Sequence, residues 1–484
     1  MRESVTLTVG SVVGVGLFVT GANVAGLMGN AVIIATLVAL LVTIYPALLY
    51  AEMGAALPYA GGTYQYATAG LSRPVGFLAG WSYIITMVSV SGAEALSFAF
   101  YFKTLFSAFG VSIPISDTVI ACLILVIFVG LNVWGIEMTG RVANATMFFF
   151  WGIAIVWFIM MIPNIQLPNF VETPDFLSGG SGNFIANVAM IWWCFAGFEA
   201  CCSLGEEIRY PHINIPRAMF LTPFIIFAVN ALFQWFLVGI VPTDLLESLA
   251  TASAPYAEAM TAAGILGIPL AMLAAGIAFG GGLSTMNASI STPPRYLFAM
   301  ARDGGLPKVF TRVHSKYKTP YVAILFLGGL TFLLVLTNSM DYIASLSLFA
   351  DLFTYVIGIA AALGLRKKMP ELDRPYQAPG IWIGAPVSIL IYLIMMTQLE
   401  KLAVLSGIIW CILGMFIYWG YTRHHKNADT TASRASSLSC ASIREEPEEE
   451  DSRKMDREYL LWKRIVIIAV ILALALYIVP YIIV

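Results

Sequence analysis

The sequence predicts an all-α polytopic membrane protein, and three observations predict it. Of 484 residues, 59% are hydrophobic and only 11% charged, and the mean hydropathy is +0.83. Soluble domains carry about 25% charged residues. Thirteen mostly apolar stretches, centred near residues 17, 42, 90, 127, 152, 195, 230, 283, 329, 354, 390, 412 and 475, each supply the roughly 20 residues that cross a hydrocarbon core of about 30 Å. Threaded with the N-terminus inside, they leave 24 of the 26 Lys and Arg residues on the cytoplasmic side and only Lys103 and Lys401 on the other. That asymmetry is what the positive-inside rule expects.

The chain is expected to begin without a cleavable leader, since Ser4 onward runs straight into the first span with no charged n-region. The first twelve spans fill residues 1–422 with short connections. Residues 423–459 are polar, Ser-rich and then acidic, a composition that buries no core and predicts a disordered cytoplasmic linker. After Lys463-Arg464 come twenty uncharged residues, so 460–484 reads as a thirteenth helix that ends outside; a surface-lying anchor is the alternative. The net charge of −2 points to no nucleic-acid partner. Cys122, Cys194, Cys201, Cys202, Cys411 and Cys440 form no C-x-x-C pair and read as small apolar fillers, with no metal.

Two spans carry breaks. Span 1 is interrupted at Gly14-Val15-Gly16, and span 6, five crossings later, at Phe195 to Glu199, "FAGFE". An offset of five inverts one half relative to the other, and paired breaks in inverted halves mark a transporter's central site. Small residues also serve close helix packing, the competing explanation for either break alone. A broken helix exposes N–H groups that favour an anion and carbonyls that suit a cation. In lipid this is tolerated only against protein or a water-filled cavity. Two such breaks side by side match the carboxylate and ammonium of an amino acid, or the charged end of an amine.

These stretches resemble the amino acid–polyamine–organocation (APC) transporter family over about residues 1–422. The motifs are "GSVVGVGLF", "YAEMGAALPYAGGTYQYA", "FAGFE" followed by "EEIRYPHINIPRA", "NASISTPPRYLFAMARDGGLP" and "LRKKMPELDRPYQAPG", in family order at span boundaries. The arginine–agmatine antiporters and the light chains of heteromeric amino acid transporters are the members most resembled. The resemblance implies a five-plus-five inverted-repeat (LeuT-like) fold with discontinuous helices 1 and 6, two further helices, and alternating access. It implies that Val15 and Gly16, after Gly14, present N–H groups to the substrate carboxylate, and that Val12, Trp193 and Ala196 present carbonyls to its ammonium beside Gly197. Trp193 would be an aromatic lid, Glu199 a gating or proton-linked acid, and Thr86, Ser91 and Ser347 would line the side-chain pocket. The frequent Gly-Ser-Gly of the family is Gly-Val-Gly here. The span-5 lysine that replaces a coupling sodium in some members corresponds to Phe150, and the thirteenth span is additional.

Glu94 and Asp351 lie inside apolar stretches, where an ionised carboxylate costs about 2.5–3.5 kcal/mol at mid-bilayer and therefore faces the bundle interior. Their neighbours Ser91, Ser347 and Thr354 follow at helical spacing. Binding a cationic side chain, carrying a proton and bonding helix backbone remain three readings of them. Ser284 and Thr285 pair two hydroxyls suited to sodium, although such hydroxyls commonly bond their own helix. The coupling ion is thus H+ or Na+, with no other cofactor. Glu52 reads as a cytoplasmic gate or helix-end residue, and Arg366-Lys367-Lys368 as a topology anchor. No nucleotide loop or metalloprotease motif suggests an enzyme. The sequence therefore predicts a permease carrying amino acids. A polyamine or cationic amino acid exchanger, a transporter-like nutrient sensor signalling through 423–459, and a channel are the alternatives.

Overall fold

The computed structural model describes residues 14–59, 61–135, 140–171, 180–203, 205, 208–424 and 446–483. All regular structure among them is helical. A π turn at Gly16–Thr20 runs into α1, Gly21–Met28, and the run ends at Gly29, whose φ of 55° takes the backbone out of helix. Then follow α2 (Val32–Ala56), α3 (Gly62–Gly70), α4 (Arg73–Ser107), α5 (Asp117–Val133), α6 (Gly140–Met161) and α7 (Gly180–Trp192). After a second interruption come α8 (Ala200–Ser203), α9 (Pro211–Ile240), α10 (Pro255–Ala262) and α11 (Ile268–Ala275). A π turn at Gly276–Gly282 leads to α12 (Leu283–Ser291) and α13 (Pro293–Arg302). The last helices are α14 (Tyr321–Val335), α15 (Met340–Lys368), α16 (Ile381–Met396), α17 (Lys401–His424), α18 (Glu449–Ile478) and α19 (Pro480–Ile483).

Each of the thirteen apolar stretches falls on helix, but not all are membrane-length by themselves. Seven described helical runs are long and apolar enough to cross a bilayer, the first being the joined run Gly16–Ala56, and four further apolar helices are shorter. The outer faces match lipid: Trp382, Ile383 and Leu390 on α16, Leu405, Ile409 and Phe416 on α17, and Ile468, Ile471 and Leu472 on α18 are all exposed.

Local chemistry sets the ends. Ser116 Oγ accepts the Val119 N–H at the start of α5, and Ser339 Oγ accepts that of Tyr342 at the start of α15. Asp341 in the first turn of α15 and Arg366, Lys367 and Lys368 in its last complement the helix dipole. α18 begins at Glu449 rather than at 460, so the end of the supposed linker is helical. Its first turn carries Glu449, Glu450 and Asp451, charges that stabilise a helix N-terminus, and Asp451 and Asp456 pair with Arg209 and Arg217 at 2.8 and 2.5 Å. Residues 425–445, including Cys440, lie outside the described residues.

Packing sorts the helices into two groups. α2 packs against α9 and α7, and α18 lies along α9. The long α4 collects α3, α5, α12, α14 and α17. α15 packs on α4 and also touches α2, so it bridges the groups. The start of the first described helix and the interruption after α7 sit in the first group, in contact with α4 and α15.

Candidate functional site

The start of the first described helix is shaped by contact as much as by helix propensity. The Gly14 carbonyl accepts the N–H groups of Leu17 and Phe18 at 3.1 and 3.3 Å, starting the helix. A Cβ on Gly14 would sit 2.1 Å from Glu94 Oε1 and 3.0 Å from Thr285 Oγ1. On Gly16 it would stand 3.4 Å from the Cys194 Cα. The first glycine thus admits a carboxylate from α4, and the second admits the other broken helix. Val12 lies outside the described residues.

The Val15 N–H, expected to be open to substrate, is occupied. It donates to Glu94 Oε1 at 2.8 Å, a buried bond. A positively polarised helix start next to a desolvated carboxylate makes that bond favourable.

The second interruption follows α7. A single 3-10 turn, Trp193–Phe195, ends at Ala196, whose ψ of 142° is extended, and Gly197 then takes φ 90°, a conformation suited to glycine. The Ala196 N–H bonds back to the Trp193 carbonyl at 3.1 Å. The Gly197 N–H donates to the Tyr355 hydroxyl at 3.1 Å, and that hydroxyl in turn donates to the Glu199 carboxylate. This turn meets the start of the first described helix: the Cys194 thiol lies 3.1 Å from the Gly16 carbonyl.

The other expected site residues divide. Trp193 Nε1 donates to Ser347 Oγ at 3.2 Å, tying the second interruption to α15. Both side chains are buried. Ser91 does not face an open pocket; its hydroxyl bonds the Met87 carbonyl and Ser289 Oγ, each at 2.8 Å, linking α4 to α12. The Thr86 hydroxyl is buried and faces the Asp351 carboxylate of α15. Thr285 Oγ1 donates to the Gly281 carbonyl of its own helix at 3.2 Å, and Ser284, beside it on α12, is half-buried. Phe150 is buried, edge-on to Phe18 at 5.5 Å, and fills the notch left by Gly280.

The intramembrane acids occupy separate places. Glu94 meets Gly14 and Val15, whereas Asp351 interacts electrostatically with Glu199 and Tyr355. A cationic side chain held between Glu94 and Asp351 therefore finds no paired acids here. Aromatic rings close over Glu199: Phe198 stacks on Tyr355 at 5.0 Å, and Tyr50 meets both edge-on. Tyr355 escaped the sequence reading because a tyrosine in an apolar span gives no signal of its own. Cys194 escaped for the same reason.

Glu52 is buried near the C-terminal end of α2. It accepts two bonds from Arg366 at 2.8 and 2.7 Å and one from the Ala378 N–H at 2.8 Å, with Arg374 at 3.3 Å. Arg366 thus does more than fix topology. It ties α2 to the end of α15 and to the following loop. Burial draws the Arg374 guanidinium below its ordinary value while Glu52 opposes the shift.

Residues 2–424 match the family model described as amino acid permease. The chain belongs to the amino acid permease family. The permease is 27% identical over 439 residues to the branched-chain amino acid permease BcaP of Bacillus subtilis, covering 87% of this chain and 91% of that one. It is 26% identical over 435 residues to the methylthioribose transporter of the same organism, covering 87% and 92%. It is also 28% identical over 390 residues to the human large neutral amino acids transporter small subunit 2, covering 76% of the permease and 70% of the relative. The family consists of multi-pass membrane transporters and not of enzymes, and the apolar helices agree with that.

Proposed function

We propose that this permease carries neutral amino acids with branched or large aliphatic side chains, by alternating access around the two helix interruptions. The observation that carries the reading is the contact of Gly16 with Cys194. It brings the N–H groups that open one helix next to the carbonyls that close another. A zwitterion satisfies both, its carboxylate at Val15 and Gly16 and its ammonium at the Trp193 and Ala196 carbonyls. The buried Trp193 and Ser347 stand beside that seat, Gly197 turns the backbone behind it, and Thr86 adds a buried hydroxyl from α4. The names of the branched-chain and large neutral relatives support an aliphatic side chain.

The LeuT-like five-plus-five arrangement belongs to this proposal, as do an N-terminus in the cytoplasm and α18 crossing to end outside. For coupling, Glu199 and Asp351 form a proton-carrying pair, and Ser284 with Thr285 is the sodium alternative. Separation of Glu94 from Asp351 speaks against the polyamine reading. Counterflow into proteoliposomes tests the function: preloaded leucine, isoleucine or valine should drive uptake of labelled leucine, while putrescine and lysine should not. Equal exchange by putrescine overturns the neutral assignment. Repeating uptake under a proton or a sodium gradient distinguishes the two ions.

A further inference from the structure

We infer that the Glu94 carboxylate is a tethered stand-in for the substrate's carboxylate, seated on the Val15 N–H of the empty carrier and displaced when an amino acid binds. The inference rests on the carboxylate seat proposed above and adds a competitor to it.

Two buried acids in this chain show the difference between a structural carboxylate and a provisional one. Glu52 is fully engaged: both oxygens accept, from Arg366, the Ala378 N–H and neighbouring Arg374. Glu94 is 1% exposed and holds one bond, Oε1 to Val15 at 2.8 Å. Its Oε2 is buried with no hydrogen-bond partner among the described residues. A buried carboxylate meant to stay put is paired on both oxygens, because an unsatisfied buried charge is expensive. One good bond and one orphan oxygen describe a group that can leave.

The space around Glu94 is made for a carboxylate. A Cβ on Gly14 would be 2.1 Å from Oε1 and one on Gly282 would be 3.4 Å from Oε2. Thr285 Oγ1, 3.0 Å from the Gly14 Cβ position, borders the same space. Gly14 thus leaves the space that the acid fills from α4, and Gly282 borders it at van der Waals distance. A substrate carboxylate reaching for Val15 meets like charge at the same N–H, and the two cannot share it. The zwitterion's own ammonium, arriving within the same site, gives the displaced Glu94 a counter-charge. An amine without a carboxylate has nothing with which to evict it.

This gives Glu94 an effect on affinity opposite to that of an ordinary binding residue. Labelled leucine binding to the purified full-length protein should tighten about tenfold in Glu94→Ala, the scale of a lost charged hydrogen bond. It should tighten less in Glu94→Gln, whose amide oxygen still accepts from Val15. Binding of 3-methylbutylamine, which is leucine without its carboxylate, should not tighten in either variant. If Glu94→Ala does not fold, the Glu94→Gln pair of measurements decides alone. Wild-type protein that binds leucine while the folded variants bind it more weakly overturns this inference and leaves the substrate reading standing. Equal tightening for leucine and the amine also overturns it, since carboxylate competition would not be the cause. Wild-type protein that binds no neutral amino acid overturns the substrate reading and this inference with it.

Discussion

The Cys194 thiol lies 3.1 Å from the Gly16 carbonyl, where the start of the first described helix meets the interruption after α7, and a Cβ on Gly16 would be in ordinary contact with the Cys194 backbone at 3.4 Å. Gly14 is crowded, for a Cβ there would overlap Glu94 Oε1. Gly14→Ala should therefore reduce leucine uptake about tenfold, because its methyl group overfills the space beside the Val15 N–H that the substrate carboxylate must enter. Gly16→Ala should change uptake little, since its methyl group would meet the Cys194 backbone at an ordinary 3.4 Å. Uptake in proteoliposomes, normalised to folded protein by gel filtration, measures both. A Gly14→Ala carrier with unchanged uptake would show that this close approach is not needed.

Tyr355 holds two groups at once, accepting from the Gly197 N–H and donating to Glu199. Tyr355→Phe leaves a buried N–H and a carboxylate without that partner, each costing about 1–3 kcal/mol. The expected outcome is a lower Tm together with a larger fall in kcat than change in KM, since the turn is released but the seat stays. An unchanged Tm would indicate that other groups replace the hydroxyl.

The cluster of Glu52, Arg366 and Arg374 makes a stability prediction. Breaking a buried ion pair by neutralising one partner costs about 3–5 kcal/mol, because the other charges are left uncompensated. Glu52→Gln strands the buried Arg374 and the partly exposed Arg366. It should lower the midpoint of thermal unfolding by several degrees, and Arg366→Lys, which keeps the charge but loses the two-pronged geometry, should lower it less. Differential scanning fluorimetry compares them directly.

The docking of α18 tests which contacts matter. Its ion pairs to Arg209 and Arg217 are partly exposed, and such pairs are worth about 0–1 kcal/mol. Deeper, Trp235 Nε1 donates to the Leu476 carbonyl and the Tyr477 hydroxyl to the Ala231 carbonyl, each at 2.9 Å. Tyr477→Phe should therefore speed hydrogen exchange along residues 466–478 more than Arg209→Ala does. The reverse order would mean that the surface charges hold the helix.

Much of this was legible in the residues. Hydropathy located the long apolar helices but not the short α3 and α10 or the start of α18, and Ala196-Gly197 marked the interruption after α7 because glycine is poor helix material. What occupies the Val15 N–H was not legible. Glu94 stood out as costly in lipid, but seventy-nine residues separate it from Val15, and only folding brings them together. Ser91 shows the limit in the other direction: helical spacing put it on the inner face, yet that face meets α12 and its Ser289. Glu94 and Asp351 both stood out as costly in lipid, and helical spacing did not reveal that one meets Val15 and the other the Glu199–Tyr355 pair. Acidic residues 449–451 read as solvated linker because composition does not reveal the arginines waiting on α9.

The way α18 lies along α9 also shapes the perimeter of the molecule. It is fastened near one end through Arg217 and Asp456, and near the other Tyr481 takes a hydrogen bond from Asn30. α9 consequently has a single large side chain, Phe220, turned outward. On α16 and α17, whole rows of isoleucine, leucine and tryptophan remain bare. A neighbour approaching sideways through the bilayer finds greasy contact area along those two helices, while beside α9 it meets the apolar outer face of α18 instead.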